Sequence, residues 1–270
     1  MATPNYPLVT NISVIDERSG VDSREALVAK MSGLLPDQSW QQVDSLDAGV
    51  GLVLSDNGLS LRNADTPKNG DVRVDFLSSA LAYRRAKGGG KSELLVKAIG
   101  IKGSQDYRVI DATAGLGTDS FVLASNGCNV TMLERSPLVA ALLADALTRM
   151  HSNAPDHELC QRLHLSRGDS VTQLSQWAKI PESEHQRPDA IYLDPMFPHR
   201  KKSALVKKEM QALQQLLGVD PDADRLLEPA LALATKRVVV KRPASAPFLA
   251  ERKPNVSMSS KKHRFDIYFT

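Results

Sequence analysis

The stretch VIDATAGLGTDSF, residues 109–121, joins an apolar run to a helical pattern through a turn with two glycines. The apolar run ends at Asp111, Gly115 and Gly117 lie in the turn, and a helix is predicted to begin near Thr118. Glycines allow positive φ angles and close approach of the backbone, while a helix start leaves N–H groups unpaired. The stretch therefore predicts a strand, a tight turn and a helix, with room for a ligand directly on the turn.

The same alternation of strand and helix continues to the end of the chain. Strands are predicted at RVIDAT, NVTMLE, LHLSRG, DAIYLD and RVVVKR, and helices after Thr118, from Pro137, near VTQLSQWAK and through ALVKKEMQALQQLL. Because parallel neighbours need crossover helices, this order predicts a mostly parallel sheet. The last two strands, VSMSS and RFDIYF, are only a few residues apart and must be antiparallel. This α/β pattern is typical of class I methyltransferases, with a Rossmann-like, doubly wound, seven-stranded sheet that has one antiparallel strand.

The first part of the chain predicts a small α+β appendage. It contains a strand ISVID, a helix near SREALVAKMSGLL, a hairpin of VGLVL and LSLRN, a strand VRVDF and two helical segments. The hairpin turn includes Asn57 and Gly58, which suit the positive φ angles of a tight turn. We therefore expect a small amino-terminal domain over residues 1–100 and a methyltransferase domain over residues 101–270.

Composition restricts the class of protein. The 270 residues are 42% hydrophobic and 24% charged, with a formal net charge of +3, so the chain can bury a substantial core. We find no pattern of a secretion signal and no apolar stretch of membrane-spanning length. Cys128 and Cys160 form no metal-ligand spacing. We expect a cytoplasmic protein with two structural thiols, no metal site and no membrane contact.

The glycine turn fits one nucleotide-like cofactor better than others. A dinucleotide fingerprint requires a third glycine where Ser120 stands, and KGGGKS, residues 87–92, lacks the first Walker A glycine because Arg85 takes its place. DATAGLGTD instead resembles the first motif of enzymes that use S-adenosylmethionine. Asp111, Gly115 and Gly117 are therefore candidate cofactor contacts. The alternative is that the glycines serve only the geometry of the turn.

An acidic residue ends the second strand of the predicted sheet. Glu134, at the end of NVTMLE, is placed to accept hydrogen bonds from both hydroxyls of a ribose, as in other doubly wound folds. Arg135 follows it and could flank an adenine. The alternative for Glu134 is a favourable charge near the start of the helix that begins at Pro137.

Asp169, Ser170 and Val171 follow the third strand. In this fold their loop borders the adenine, where an acid or backbone groups can meet the exocyclic amine and an apolar side chain can cover the ring. Capping of the next helix by Asp169 or Ser170 is the alternative, and both roles are compatible.

The fourth strand ends in the stretch YLDPMFPHRKK, residues 192–202. Asp194 is predicted to lie beside the switch point where open α/β sheets bind ligands. DPMFP is similar to the Asp/Asn-Pro-Pro-aromatic motif of methyltransferases that modify exocyclic amino nitrogens. It departs from that motif at Met196, which replaces the second proline.

These residue types suit methylation of an aryl amine, whose lone pair is shared with the ring. Asp194 and the carbonyl of Pro195 could hold the N–H groups and favour the developing positive charge. Phe197 could stack on the base. His199 is an alternative proton acceptor, although a lone histidine on a loop is usually incidental.

Basic residues cluster near this proposed pocket and suggest contacts with nucleic-acid phosphates. The candidate RNA-binding residues are Arg84, Arg85, Lys87, Lys91, Arg200, Lys201 and Lys202. A second cluster contains Lys236, Arg237, Lys241 and Arg242, and a third contains Lys261, Lys262, His263 and Arg264. The alternatives are solvated charged faces and, for the amino-terminal part, a cover for the sheet edge.

Longer blocks of the sequence resemble one family. DATAGLGTDSFVLAS, MLERSPLVAALL, YLDPMFPH, LLEPALALATKRVVVKRP and KKHRFDIY are together similar to the RsmJ family, bacterial methyltransferases of small-subunit ribosomal RNA. The similarity extends over about residues 70–270.

The resemblance implies S-adenosylmethionine as methyl donor and N2 of a guanine in 16S ribosomal RNA, free or in the small ribosomal subunit, as acceptor. It implies cofactor contacts by Thr118, Asp119, Glu134, Arg135, Ser170, Val171 and Asp194. Two alternatives keep parts of this interpretation. One is a methyltransferase for a small molecule or a protein, and the other is an RNA-binding ribosome assembly factor without turnover.

Overall fold

The computed structural model describes residues 11–20, 23–79, 81, 83, 93–101, 106–155, 158–184, 186–196, 222–260 and 263–270. The amino-terminal part forms a four-stranded sheet of order β2-β1-β3-β4. Its elements are β1 (Ile12–Asp16), α1 (Arg24–Leu34), β2 (Trp40–Gln42), β3 (Val50–Ser55) and β4 (Gly58–Asn63). β3 and β4 form the predicted antiparallel hairpin, while β1 is parallel to both of its neighbours.

One predicted strand of this part is wrong. Within VRVDF, only Val72 makes a bridge, to Leu61 of β4. The side chains of Val72, Val74 and Phe76 are buried, so the alternation of the sequence does reflect burial on one side. Because the backbone beyond Val72 has no partner strand in the described structure, burial produces no regular strand here.

The second sheet has seven strands in the order β10-β11-β9-β8-β5-β6-β7. Their bounds are β5 (Arg108–Asp111), β6 (Asn129–Glu134), β7 (Leu163–Arg167), β8 (Ala190–Leu193), β9 (Arg237–Pro243), β10 (Val256–Ser259) and β11 (His263–Phe269). β7, β6, β5, β8 and β9 are parallel, and β11 is antiparallel to β9 and β10. The predicted class I methyltransferase sheet is confirmed.

Helices cover both faces of this sheet. They are α2 (Leu94–Ile99), α3 (Thr118–Ser125), α4 (Pro137–Asn153), α5 (Ser170–Trp177) and α6 (Leu227–Leu233). Alternate strand residues such as Val109 and Ile110 belong to different apolar clusters, one with α2, α3 and α4 and the other with α5 and α6. The helix predicted through ALVKKEMQALQQLL lies outside the described residues. No helix of the described ranges is both long and apolar enough to cross a bilayer.

The amino-terminal sheet shares its core with the layer of α3 and α4. α1 and β4 both contact α4. The carboxylate of Asp145 on α4 accepts hydrogen bonds from the Leu59 N–H at 2.9 Å and from Arg149 Nε at 2.7 Å, and Lys30 Nζ lies 3.5 Å from it. These partners explain an acidic residue inside an otherwise apolar helix face.

Candidate active site

Three neighbouring parallel strands bring the predicted site residues to one edge of the sheet. β5 lies between β6 and β8, and the loop after β5 touches the ends of both. The Ala112 N–H donates to the Tyr192 carbonyl at 3.0 Å, and the Ala114 N–H donates to the Leu133 carbonyl at 3.2 Å. The glycine turn therefore lies between the end of β6 and the end of β8.

Glu134 is fixed by backbone groups at the tip of β6. One carboxylate oxygen accepts from the Gly115 N–H at 3.0 Å, and the other accepts from the Ser136 N–H at 2.7 Å. The residue is only 6% exposed. A carboxylate has about four acceptor positions in all, and acceptors of this kind suit the hydroxyls of a diol.

The two glycines of the turn face different surroundings. Gly115 has φ +53°, and a Cβ built on it meets no described atom within 4 Å. Gly117 has φ +72°, and its Cβ would lie 3.0 Å from Phe76 and 3.1 Å from Leu143. Gly115 therefore leaves open space at the edge of the sheet. Gly117 instead allows the core to close against the turn.

Asp111 is buried beneath the turn. Its carboxylate accepts from Ser120 Oγ at 2.6 Å and from the Thr113 N–H at 3.2 Å. Burial raises the pKa of Asp111 to about 7, although the bond from Ser120 acts in the opposite direction. Its contacts hold the turn to the first helical turn of α3.

Asp194 directly follows β8. Its N–H donates to Thr113 Oγ1 at 2.6 Å, and its Oδ2 accepts from Lys241 Nζ at 2.8 Å. Desolvation raises the pKa of Asp194, while the neighbouring Lys241 ammonium acts to lower it. The side chain remains 36% exposed, so a ligand can reach it.

Lys241 on β9 joins Asp194 to a second carboxylate. Its Nζ lies 2.9 Å from Oδ2 of Asp119, which also accepts from the Tyr192 hydroxyl at 2.8 Å. Desolvation of Lys241 acts against its charge, but Asp194 and Asp119 more than offset this and raise the pKa of Lys241. Asp119, Tyr192, Asp194 and Lys241 form a cluster that we call the carboxylate–lysine cluster.

Comparisons with known proteins give the family. The SAM_MT family model, which describes SAM-dependent methyltransferases, matches residues 37–270. A ribosomal RNA small subunit methyltransferase J from Pseudoalteromonas atlantica is 58% identical over 221 residues, which cover 82% of this chain and 85% of that protein. This chain belongs to the ribosomal RNA small subunit methyltransferase J family. The protein of that name from Salmonella schwarzengrund is 50% identical over 258 residues, with 95% and 96% of the two chains covered.

A solved structure supports the same conclusion about the methyltransferase fold. The crystal structure of a SAM-dependent methyltransferase from Neisseria gonorrhoeae superimposes with a TM-score of 0.71 at 34% identity and covers 95% of both chains. Our family member is therefore a SAM-dependent methyltransferase, and S-adenosylmethionine is its methyl donor.

The residues at the carboxyl edge fit this cofactor. The open side of Gly115 leaves room along the turn, and Glu134 offers acceptors for a ribose diol. Thr118 is exposed at the first residue of α3, where backbone N–H groups are available. The assignment of each residue to a part of the cofactor stays a prediction.

Other predicted cofactor residues lie around this edge of the methyltransferase. Asp169 caps α5 by accepting from the Thr172 N–H at 2.8 Å, and Ser170 Oγ donates to the Ala112 carbonyl at 2.7 Å. Ser170 therefore connects the loop after β7 to the glycine turn. Val171 is half-buried. Arg135 forms an ion pair of 3.2 Å with Asp222, which fixes its guanidinium near the end of β6.

The second basic cluster is mostly used inside the protein, contrary to its expected contact with phosphates. Lys241 belongs to the carboxylate–lysine cluster, and Arg242 is buried and donates to the Pro247 carbonyl. Arg237 donates to the Ala98 carbonyl, and Lys236 pairs with Asp189 at 2.7 Å. These residues look like one charged run in the sequence, but strand alternation sends them to different faces.

Several predicted residues lie outside the described ranges. They are Phe197, His199, Arg84, Arg85, Lys87, Lys91, Arg200, Lys201, Lys202, Lys261 and Lys262. Pro195 is described and buried. Across the described residues, no group of three or more His, Cys, Asp or Glu side chains is arranged to hold a metal ion.

A cavity of about 460 Å³ lies against β5, β6 and β7 and reaches the starts of these strands. Its lining includes Arg108 and Asn129 at the starts of β5 and β6, and Trp177 at the end of α5. Open α/β sheets bind their ligands at the carboxyl ends of the strands. Glu134 and Asp194 lie at those carboxyl ends, so the candidate active site is there and not in this cavity.

Proposed function

We propose that this protein transfers a methyl group from S-adenosylmethionine to the exocyclic N2 amine of a guanine in 16S ribosomal RNA. The observation that carries the proposal is the position of Asp194, whose backbone N–H is bonded to Thr113 in the same loop that reaches Glu134 through Gly115. In the proposal, the methyl donor and the acceptor amine therefore meet at this one edge of the sheet. The names of the relatives support ribosomal RNA as the substrate class.

Asp194 orients the amine in the proposed reaction. The bound cofactor supplies an electrophilic methyl group, and the amine must point its nitrogen in line with that group. The Asp194 carboxylate and the Pro195 carbonyl accept hydrogen bonds from the two N–H groups and stabilise the positive charge that develops on nitrogen. The proton leaves after methyl transfer, so no strong base is required. Phe197 stacks on the guanine.

In this proposal the glycine turn would hold the cofactor. Glu134 would accept hydrogen bonds from the ribose hydroxyls. Asp169, Ser170 and Val171 would border the adenine together with Arg135. Asp111, Gly115, Gly117, Thr118 and Asp119 shape the part of the site that faces the methionine. Asp111 and Gly117 contribute through the turn, because their own contacts are with the protein interior.

The proposal divides the chain into two functional parts, residues 1–100 and residues 101–270. The first part binds RNA beside the methyltransferase site. Arg84, Arg85, Lys87, Lys91, Arg200, Lys201 and Lys202 contact phosphates, so RNA affinity should fall steeply with salt. The enzyme acts in the cytoplasm on the RNA or on the small subunit. A target in a loop is favoured, because drawing an unpaired base into the site costs least.

Methyl transfer from deuterium-labelled S-adenosylmethionine tests the proposal. Small subunits and 16S RNA from cells that lack this protein are incubated with wild type or Asp194→Ala, and nucleosides are analysed by mass spectrometry. We expect label in N2-methylguanosine with wild type and a loss of at least about 100-fold with Asp194→Ala. Label in another nucleoside or in protein would show that the proposed substrate is wrong. Absence of label would favour a ribosome assembly factor without methyl transfer.

A further inference from the structure

We propose that Lys241 is a positioning residue for methyl transfer, which holds the carboxylates of Asp194 and Asp119 on one ammonium group and keeps Asp194 negatively charged toward the acceptor amine. This inference rests on the proposed amine methylation. It gives a role to a residue that the sequence grouped with phosphate-binding lysines.

The geometry of Lys241 is that of a bridge between three elements. Its Nζ lies 2.8 Å from Asp194 Oδ2, beyond the end of β8, and 2.9 Å from Asp119 Oδ2, in the first turn of α3. Lys241 itself extends from β9, and the pairing of Leu193 with Val240 sets it beside Asp194. An ammonium group has three N–H donors, so two of them are used in these contacts.

The bridge uses only one oxygen of Asp194. Oδ2 accepts from Lys241, and within the described part of the chain Oδ1 receives no hydrogen bond. Thr113 fixes the backbone of the same residue. The carboxylate is therefore held at two points while Oδ1 is left for an N–H donor of the substrate.

The charges explain why a cation is needed here. Asp119 and Asp194 share one ammonium group, and Asp111 lies close enough to add to their mutual repulsion. Desolvation acts together with this repulsion to favour the protonated form of a carboxylate. A protonated Asp194 accepts an amine N–H poorly and no longer offsets charge that develops on nitrogen. Lys241 opposes that protonation.

The other titratable groups around Asp194 do not replace this cation. The groups that face the cluster are Asp111 on β5, Asp119 on α3, Tyr192 on β8 and His263 on β11. Burial raises the pKa of Tyr192 well above its usual value, so it stays neutral. Burial lowers the pKa of His263, so at neutral pH it is mostly uncharged. In contrast to these four described groups, Lys241 is positively charged at neutral pH.

The pH dependence of single-turnover methyl transfer tests this role in Lys241→Met and Lys241→Arg, with Lys236→Met as control. Lys236 belongs to the same basic run of the sequence but pairs with Asp189, away from the cluster. We expect Lys241→Met to slow transfer at neutral pH by about tenfold or more and to move the acidic limb upward by about one pH unit. Affinity for S-adenosylmethionine, measured by calorimetry, should change far less. Lys241→Arg should restore the position of the limb, and Lys236→Met should match wild type.

The outcomes separate this inference from the proposed function. If wild type methylates RNA but Lys241→Met has the wild-type acidic limb, the inference is wrong and the proposed function stands. The inference is also wrong if Lys241→Arg, shown by circular dichroism to be folded, has an acidic limb as displaced as that of Lys241→Met. If wild type transfers no methyl group to RNA at any pH, the proposed function fails, and the inference that rests on it fails too.

Discussion

Gly115 and Gly117 both have positive φ angles, but a side chain would meet different surroundings at the two positions. The Cβ of an alanine at 117 would press on Phe76 and Leu143, whereas at 115 it would enter the open space assigned to the cofactor. The sequence presents the same residue type twice. Only the packing around each Cα distinguishes the glycine that the core requires from the glycine that borders open space.

Alanine substitutions should separate these roles. Gly117→Ala should lower the free energy of unfolding by roughly 2–4 kcal/mol, because strained backbone and overpacking add. Gly115→Ala should cost only about 1 kcal/mol of stability but weaken S-adenosylmethionine binding by about tenfold or more. Urea unfolding and calorimetry measure both quantities. Equal stability losses in the two variants would show that the described packing around Gly117 is wrong.

The buried Asp111 should make stability depend on pH. Its folded-state pKa of about 7 lies above the ordinary 3.8, so the folded protein binds this proton more tightly than the unfolded chain. Ionisation of Asp111 therefore costs stability as the pH rises through this range. Between about pH 5 and about pH 8, Asp111→Asn should gain about 2–3 kcal/mol of stability relative to wild type. The free energy of unfolding is measured in urea at each pH. If it changed with pH equally in wild type and Asp111→Asn, the burial of an ionisable Asp111 would be contradicted.

At the scale of helices and strands, local patterns predict a strand correctly where a partner strand lies beside it in the sheet. The positions of Glu134 and Asp194 at strand ends followed from the alternation of strand and helix, because parallel strands present their carboxyl ends at one edge. The segment VRVDF was mispredicted because its alternation reflects burial without a partner strand. Lys241 could not be assigned to the site from local sequence, since its place beside Asp194 depends on the register of β8 with β9.

Asp145 should anchor the amino-terminal hairpin to α4. Its carboxylate joins the Leu59 N–H, Arg149 and Lys30, and its side chain is 2% exposed. Asp145→Ala should lower the free energy of unfolding by roughly 3–5 kcal/mol, because buried donors and charges lose their partner. Asp71→Ala removes a partly exposed ion pair with Arg62 and should cost about 1 kcal/mol or less. Similar losses in urea unfolding for both variants would contradict the anchoring role.

Across the whole molecule, one apolar cluster runs from the amino-terminal sheet through α3 and α4 to the central strands. Residues 1–100 and 101–270 can therefore unfold as a single cooperative unit even if their functions differ. The division at residue 100 is a proposal about function, and the shared core predicts that the two parts do not unfold separately.

The two tryptophans offer a direct test of this cooperativity. Trp40 lies in β2 and Trp177 ends α5, so Trp40→Phe and Trp177→Phe each leave one fluorescent reporter in a different part. Because the core is continuous, the fluorescence transition in urea should coincide with the circular dichroism transition in both variants. A fluorescence midpoint that differs from the circular dichroism midpoint in either variant would show that the amino-terminal sheet unfolds independently.

The central claim is that the carboxyl ends of β5, β6 and β8 gather the methyl donor and the acceptor amine into one crevice. A crystal structure with the product S-adenosylhomocysteine tests this claim most directly. We expect ribose hydroxyls within hydrogen-bond distance of the Glu134 carboxylate, the chain of the ligand along Gly115, and the sulfur facing Asp194. Binding in the cavity of Arg108 and Trp177, or with the sulfur turned away from Asp194, would contradict the account.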